Sequence, residues 1–202
     1  MLARLALLAA VLCAATAAQA ASVNVVVTDA SGNPLTDAVV MLESPGGRLA
    51  VKPMAGVQIA QHDRQFSPQL TVVTVGTAVL FPNQDTVRHH VYSFSPAKTF
   101  QIKLYAGVPH TPIVFDKPGI AVLGCNIHDG MVAWVVVADT PLWARSGPGG
   151  RARVDGVAPG AYQLHVWHAS LAEGAPVVLL PVTVAAAAGD VEQRVKLGGP
   201  PR

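Results

Sequence analysis

The stretch Gly124-Cys125-Asn126-Ile127-His128-Asp129-Gly130-Met131-Val132-Ala133-Trp134-Val135-Val136-Val137-Ala138-Asp139 decides how this chain reads. Its second half, Val132 to Ala138, is an unbroken apolar run bounded by polar turns. A membrane-spanning helix needs about 20 apolar residues, so this shorter run reads as a buried β-strand. The first half places Cys125, His128 and Met131 at the spacing C-x-x-H-x-x-M. A thiolate, an imidazole and a thioether are a soft donor set that suits copper in both oxidation states. Two histidines and a cysteine in a plane, with a weak axial methionine, make a blue-copper arrangement. One more histidine must then come from elsewhere in the chain.

Upstream, Val79-Leu80-Phe81-Pro82-Asn83-Gln84-Asp85-Thr86-Val87-Arg88-His89-His90-Val91 offers two. Neighbouring residues of a strand point to opposite faces, so an unbent strand lets only one of the pair reach a given ion. At this point the chain resembles the cupredoxins, in which a histidine follows a strand reading roughly V-x-F-x-N-x-D-x-x-x-H-x-V. That register implies His89 as the ligand, with His90 standing where an asparagine or threonine is usual. The resemblance runs from about Phe66 to Val137 and includes RQFSPQLTVVTVGTAVLFPN. The short C-x-x-H-x-x-M loop is similar to the amicyanin branch, and plastocyanin has a longer one. The string from Arg88 to Met131 also resembles exported cupredoxin-like proteins named for methylamine utilisation, although nothing in it recognises an amine. The resemblance implies one type 1 copper held by His89, Cys125, His128 and Met131. It further implies one-electron transfer with a redox partner protein, and no enzymatic turnover.

Cysteine usage agrees with a held thiol. Residues 1–20 read as an export signal, with Arg4 in a short positive start, an apolar run from Leu5 to Leu12, and Ala18-Gln19-Ala20 as a small-x-small cleavage site. Removing it takes away Cys13 and leaves Cys125 as the sole cysteine of the mature chain. The expected compartment is the periplasm, which is oxidising, so a lone thiol there is either buried or bound. No second cysteine completes a C-x-x-C pair, and thioether is a poor zinc ligand. A Cys125–His128 nucleophile pair lacks a third, orienting group. His62, His110, His165 and His168 have no ligand spacing and read as surface or core residues.

Outward from the middle, the rest of the chain is Val-rich runs cut by Gly, Pro, Asn and Asp, with no helical periodicity. The expected strands are Ser22 to Thr28, Ala38 to Leu42, Leu70 to Val75, Ala78 to Phe81, His90 to Phe94, Ile113 to Phe115, Met131 to Val137, Arg151 to Val154, Tyr162 to Trp167 and Val177 to Val184. VNVVVTDASGNPLTDAVVML near the front and GRARVDGVAPGAYQLHVWH near the back resemble the carboxypeptidase-regulatory-like (transthyretin-like) β-sandwich. The expected fold is therefore all-β, a cupredoxin Greek-key sandwich over 55–140 combined with a second small sandwich made from 21–48 and 146–198. The middle block is either inserted into the second sandwich or continuous with it.

Net charge is +2, of which Arg4 belongs to the leader. That is too weak to argue for a nucleic-acid partner or an anionic membrane surface. No segment after the leader reads as a membrane anchor. Two other functions remain compatible with the residues: a copper carrier or sensor without redox turnover, and a β-sandwich binding module without metal.

Overall fold

The computed structural model describes residues 20–171, 177–186 and 189–198. The expected leader lies outside the described residues except for Ala20. Among the described residues no helix is long and apolar enough to cross a membrane.

The strands follow the punctuation of the sequence. The first part contributes β1 (Ala21–Thr28) and β2 (Val39–Glu43). The middle contributes β3 (Val57–Gln58), β4 (Ala60–His62), β5 (Gln65–Ser67), β6 (Leu70–Thr74), β7 (Thr77–Leu80), β8 (His89–Ser95), β9 (Lys98–Tyr105), β10 (Ile113–Phe115), β11 (Gly119–Gly124) and β12 (Val132–Ala138). The last part contributes β13 (Trp143–Arg145), β14 (Arg151–Val157), β15 (Gly160–Trp167), β16 (Val178–Val184) and β17 (Val191–Lys196). The chain is all-β, as its composition implies. β3, β4, β5, β9, β11, β13 and β17 lie outside the strands expected from the sequence.

The outer segments build one sandwich. β1 lies between β14 (antiparallel) and β17 (parallel) in one sheet, and the other sheet runs β13-β2-β15-β16. Alternation decides which face goes in: Val23, Val25 and Val27 of β1 are buried, while Asn24, Val26 and Thr28 between them are partly exposed. They meet Leu42, Leu164, Val166 and Val182 from the second sheet in one apolar cluster. Asp29 closes the turn after β1, its carboxylate accepting the Ser31 and Asn33 backbone N–H groups at 2.8 Å each.

The middle segment builds a second sandwich. A five-stranded sheet runs β6-β12-β11-β8-β9 and faces a three-stranded sheet, β10-β7-β3. Phe81, Phe115, Val91, Leu123, Val135 and Met131 fill the space between them. The two sandwiches share strands β6 and β12. Val73, Val135 and Val137 face the middle core, whereas Leu70, Val72, Val136 and Ala138 belong to the outer cluster. Trp134 packs there against Trp167, with ring centroids 6.5 Å apart. A strand covered on both faces has no solvent side, which is why Val132 to Ala138 is apolar without alternation.

The entry and exit of the middle segment meet at the end of β2. Thr140 donates its hydroxyl to the Leu42 carbonyl at 2.7 Å, and the Leu42 N–H reaches the Leu142 carbonyl at 2.8 Å. β13 then pairs with β2, and Arg145 ion-pairs with Asp37 at 2.7 Å.

Candidate metal centre

β11 and β12 run antiparallel with Gly124 opposite Val132, so Cys125 leaves the sheet just as the loop 125–131 begins. The loop is held tight by the Met131 N–H, which donates to the His128 carbonyl at 2.9 Å. Gly124 faces Tyr92 on β8. A Cβ there would lie 2.7 Å from Cζ of Tyr92, whose ring crosses the strand at this point.

β8 supplies the other side. Its register against β9 slips between His89 and Val91, a bulge at the very start of the strand. His89 is fully buried, and its Nδ1 lies 3.9 Å from the Cys125 Sγ. The same sulfur lies 4.0 Å from Nδ1 of His128. The two imidazole rings are 5.0 Å apart, centroid to centroid. One donor atom from each of His89, Cys125 and His128 falls within 4.8 Å of the others, the only such cluster among the described residues. Cys125 is buried and His128 is partly exposed. Met131, the fourth residue singled out in the sequence, is buried in the same core cluster as Cys125.

The spacing fits one ion. Nitrogen and sulfur ligands sit about 2.0–2.3 Å from a metal such as zinc, so two of them about 120° apart are roughly 3.8 Å from each other. The distances of 3.9 and 4.0 Å match that triangle. The set is soft, with two imidazoles and one thiol, as copper prefers.

His90 lies elsewhere. It is outside the cluster, its ring 5.5 Å from that of Tyr92, and neither ring nitrogen has a hydrogen-bond partner among the described residues. His62 pairs with Asp63 at 3.1 Å and His165 with Glu43 at 3.3 Å. His168 bonds Ser170, and His110 is exposed. None of these four approaches the cluster.

Several supporting residues were not singled out for this role in the sequence. Asn83 staples the loop before β8: its amide donates to the Val87 and Tyr105 carbonyls at 2.8 and 2.9 Å, and its oxygen accepts the Asp85 N–H at 2.9 Å. Asp85 then accepts a hydrogen bond from His89 Nε2 at 2.6 Å. Burial pushes the Asp85 carboxyl up, but the Arg64 N–H, the His89 ring and the Asp63 N–H outweigh it and hold the group below the ordinary aspartate range. A carboxylate only accepts, so His89 donates from Nε2 in this bond, while its Nδ1 lies on the side of the sulfur. Tyr105 stands opposite His89 in the β8–β9 ladder. Burial raises its hydroxyl to about 12; a hydrogen bond from Gln61 works against that, and the charge of the nearby Cys125 adds to it. Gln61 Nε2 donates to this hydroxyl at 2.6 Å.

No protein-family model matches the chain, and no curated protein matches it. Among solved structures it is similar to a purple cupredoxin from Nitrosopumilus maritimus, at 24% identity over 41% of this chain and 99% of that one, with a TM-score of 0.36. It is similar to a reduced Cu(I) form of an amicyanin variant, at 16% identity over 49% of this chain and 98% of that one, TM-score 0.38. A copper-containing nitrite reductase from Thermus scotoductus SA-01 matches at 23% identity over 55% of this chain but only 28% of that one, TM-score 0.39. The described residues thus form an all-β chain of two packed sandwiches, with two imidazoles and one thiol gathered at one end of the central one.

Proposed function

We propose that this protein is an exported type 1 copper protein of the periplasm that carries one electron at a time between redox partners. The observation that carries the reading is the triangle of His89 Nδ1, Cys125 Sγ and His128 Nδ1, with edges of 3.9 and 4.0 Å at the sulfur. His89, Cys125 and His128 would hold the ion in a plane, and Met131 would cap it. Copper supplies the Cu(I)/Cu(II) couple. The protein's part is to hold the donors still. His89 is fixed by the bulge at the start of β8 and by Asp85, Cys125 by the end of β11, and His128 by the turn bonded to Met131. Donors that cannot rearrange keep the site alike in both oxidation states, so little reorganisation accompanies electron transfer. The apolar core around Cys125 keeps water from the sulfur.

The electron port of this reading is His128, the one donor of the three that is not buried. Ile127 beside it is 47% exposed. With little net charge, partner recognition would rest on apolar contact near this loop and not on electrostatic steering.

The test is elemental analysis and an optical spectrum of protein produced with copper available. One copper per chain is expected, with an intense visible thiolate-to-copper band that bleaches on reduction and returns on oxidation. A protein that binds copper but shows no reversible bleaching would be a carrier; one without bound copper would be a metal-free module.

A further inference from the structure

The carboxylate of Asp85 receives three donors. His89 Nε2 reaches Oδ2 at 2.6 Å, the Asp63 N–H reaches Oδ1 at 2.7 Å, and the Arg64 N–H reaches Oδ2 at 3.0 Å. The last two come from the tip of the β4–β5 hairpin, 21 and 22 residues away in sequence. Asp63 and Arg64 both take positive φ, 52° and 57°, although neither is glycine. Two successive residues in that conformation form the type I′ turn favoured in two-residue hairpins, and here it turns both N–H groups toward one carboxylate. The Asp85 side chain is 13% exposed and that of His89 is fully buried. A cleft of about 290 Å³ lined by Asp63, Arg64, Asp85, Thr86 and Val87 opens beside it.

We infer that Asp85 is a positioning residue for the metal: clamped by the hairpin turn, it fixes the Nε2–H tautomer of His89, aims Nδ1 at the ion and strengthens that imidazole as a donor to Cu(II) over Cu(I). This inference rests on the copper reading above. The mechanism is local. A carboxylate bonded to the outer nitrogen of a ligating imidazole fixes the ring and raises its basicity, and loss of such a partner typically costs about 10–100-fold in metal affinity. A more basic donor and a nearby negative charge both favour the more highly charged ion. The hairpin matters because its two N–H groups tie both oxygens of the carboxylate in place.

Asp63 provides the internal control. It sits on the same turn, its side chain is 84% exposed, and its carboxylate pairs with His62 and not with His89. Asp63→Asn removes one negative charge from the region without touching the bond to His89. Asp85→Asn removes the same charge and places an amide against the Nε2–H or the turn N–H groups.

Three measurements test the inference. First, nitrogen chemical shifts of the metal-free wild-type protein should place the His89 proton on Nε2. A proton on Nδ1 overturns the inference whatever the copper result. Second, Asp85→Asn should weaken Cu(II) binding by about 10–100-fold and Cu(I) binding less. A tenfold difference between the two raises the one-electron potential by about 59 mV. Third, Asp63→Asn should move the potential far less. An unchanged potential in Asp85→Asn, or an equal shift in both variants, contradicts the assignment. If wild-type protein binds no copper but carries the Nε2–H tautomer, the copper reading fails while the orienting role of Asp85 stands.

Discussion

The outer and central sandwiches are made of the same Val-rich strands, yet their buried polar groups differ in what they serve. In the outer one, Ser146 accepts the Ala38 N–H at 2.8 Å and donates to the Leu35 carbonyl at 2.7 Å. Thr140, at the junction of the two, likewise donates to a backbone carbonyl. These side chains satisfy main-chain atoms and hold loops closed. The central one has such staples too, at Thr77 and Asn83, but there the fully buried His89 and Gln61 also bond to side chains, Asp85 and Tyr105. Main-chain staples support a fold and need no further explanation. Buried side chains that orient one another around a thiol are costly to arrange unless something uses them.

This contrast can be broken outright at the central site. Cys125→Ser should abolish the visible copper band while leaving a folded protein, as read by absorption and by far-UV circular dichroism. His89→Ala should abolish the band too, and His90→Ala should retain it. If His90→Ala loses the colour and His89→Ala keeps it, the two adjacent side chains have been assigned to the wrong faces of β8.

In the outer sandwich the same kind of truncation should change stability without changing colour. Leu164 is fully buried in that core, and Leu164→Ala should cost about 2–5 kcal/mol in denaturant unfolding. The copper spectrum of the folded fraction should be unaltered. Ser146→Ala orphans the Ala38 N–H and should cost about 1–3 kcal/mol by the same measurement.

The smallest effect concerns surface carboxylates. The Asn33 side chain, followed by its backbone N–H, holds Asp29 below its ordinary value of 3.8, outweighing burial, which acts the other way. A depressed folded value means that the contribution is complete above the ordinary value and is lost as pH falls through the folded one. Stability should therefore decline on acidification below about pH 4, and Asp29→Asn should flatten that decline. An equally steep decline in the variant would assign it to other carboxylates.

Much of this was legible in the residues. The loop Cys125 to Met131 announces a ligand set through spacing, because strand ends and short loops convert spacing directly into proximity. The run Val132 to Ala138 announces a strand buried on both sides. β9 was legible in principle, since Phe100 and Ile102 alternate with exposed Thr99, Gln101 and Lys103. β11, which delivers Cys125, was harder: it is a short apolar run between two glycines with no alternation. The Asp85 cradle could not be read in advance. It depends on a hairpin tip at Asp63-Arg64, where non-glycine residues adopt positive φ, and nothing local signals that this turn folds over a loop 21 residues later. Which residues gather at the candidate site follows from pattern; how they are oriented follows from tertiary contacts.

X-ray absorption at the copper edge reads the donors around the ion. Two imidazole nitrogens and one short copper–sulfur contact are expected in the oxidised protein, the same set after reduction, and no sulfur contact of that kind in Cys125→Ser. A shell of nitrogen and oxygen alone, or a donor set that changes with oxidation state, would contradict the copper reading.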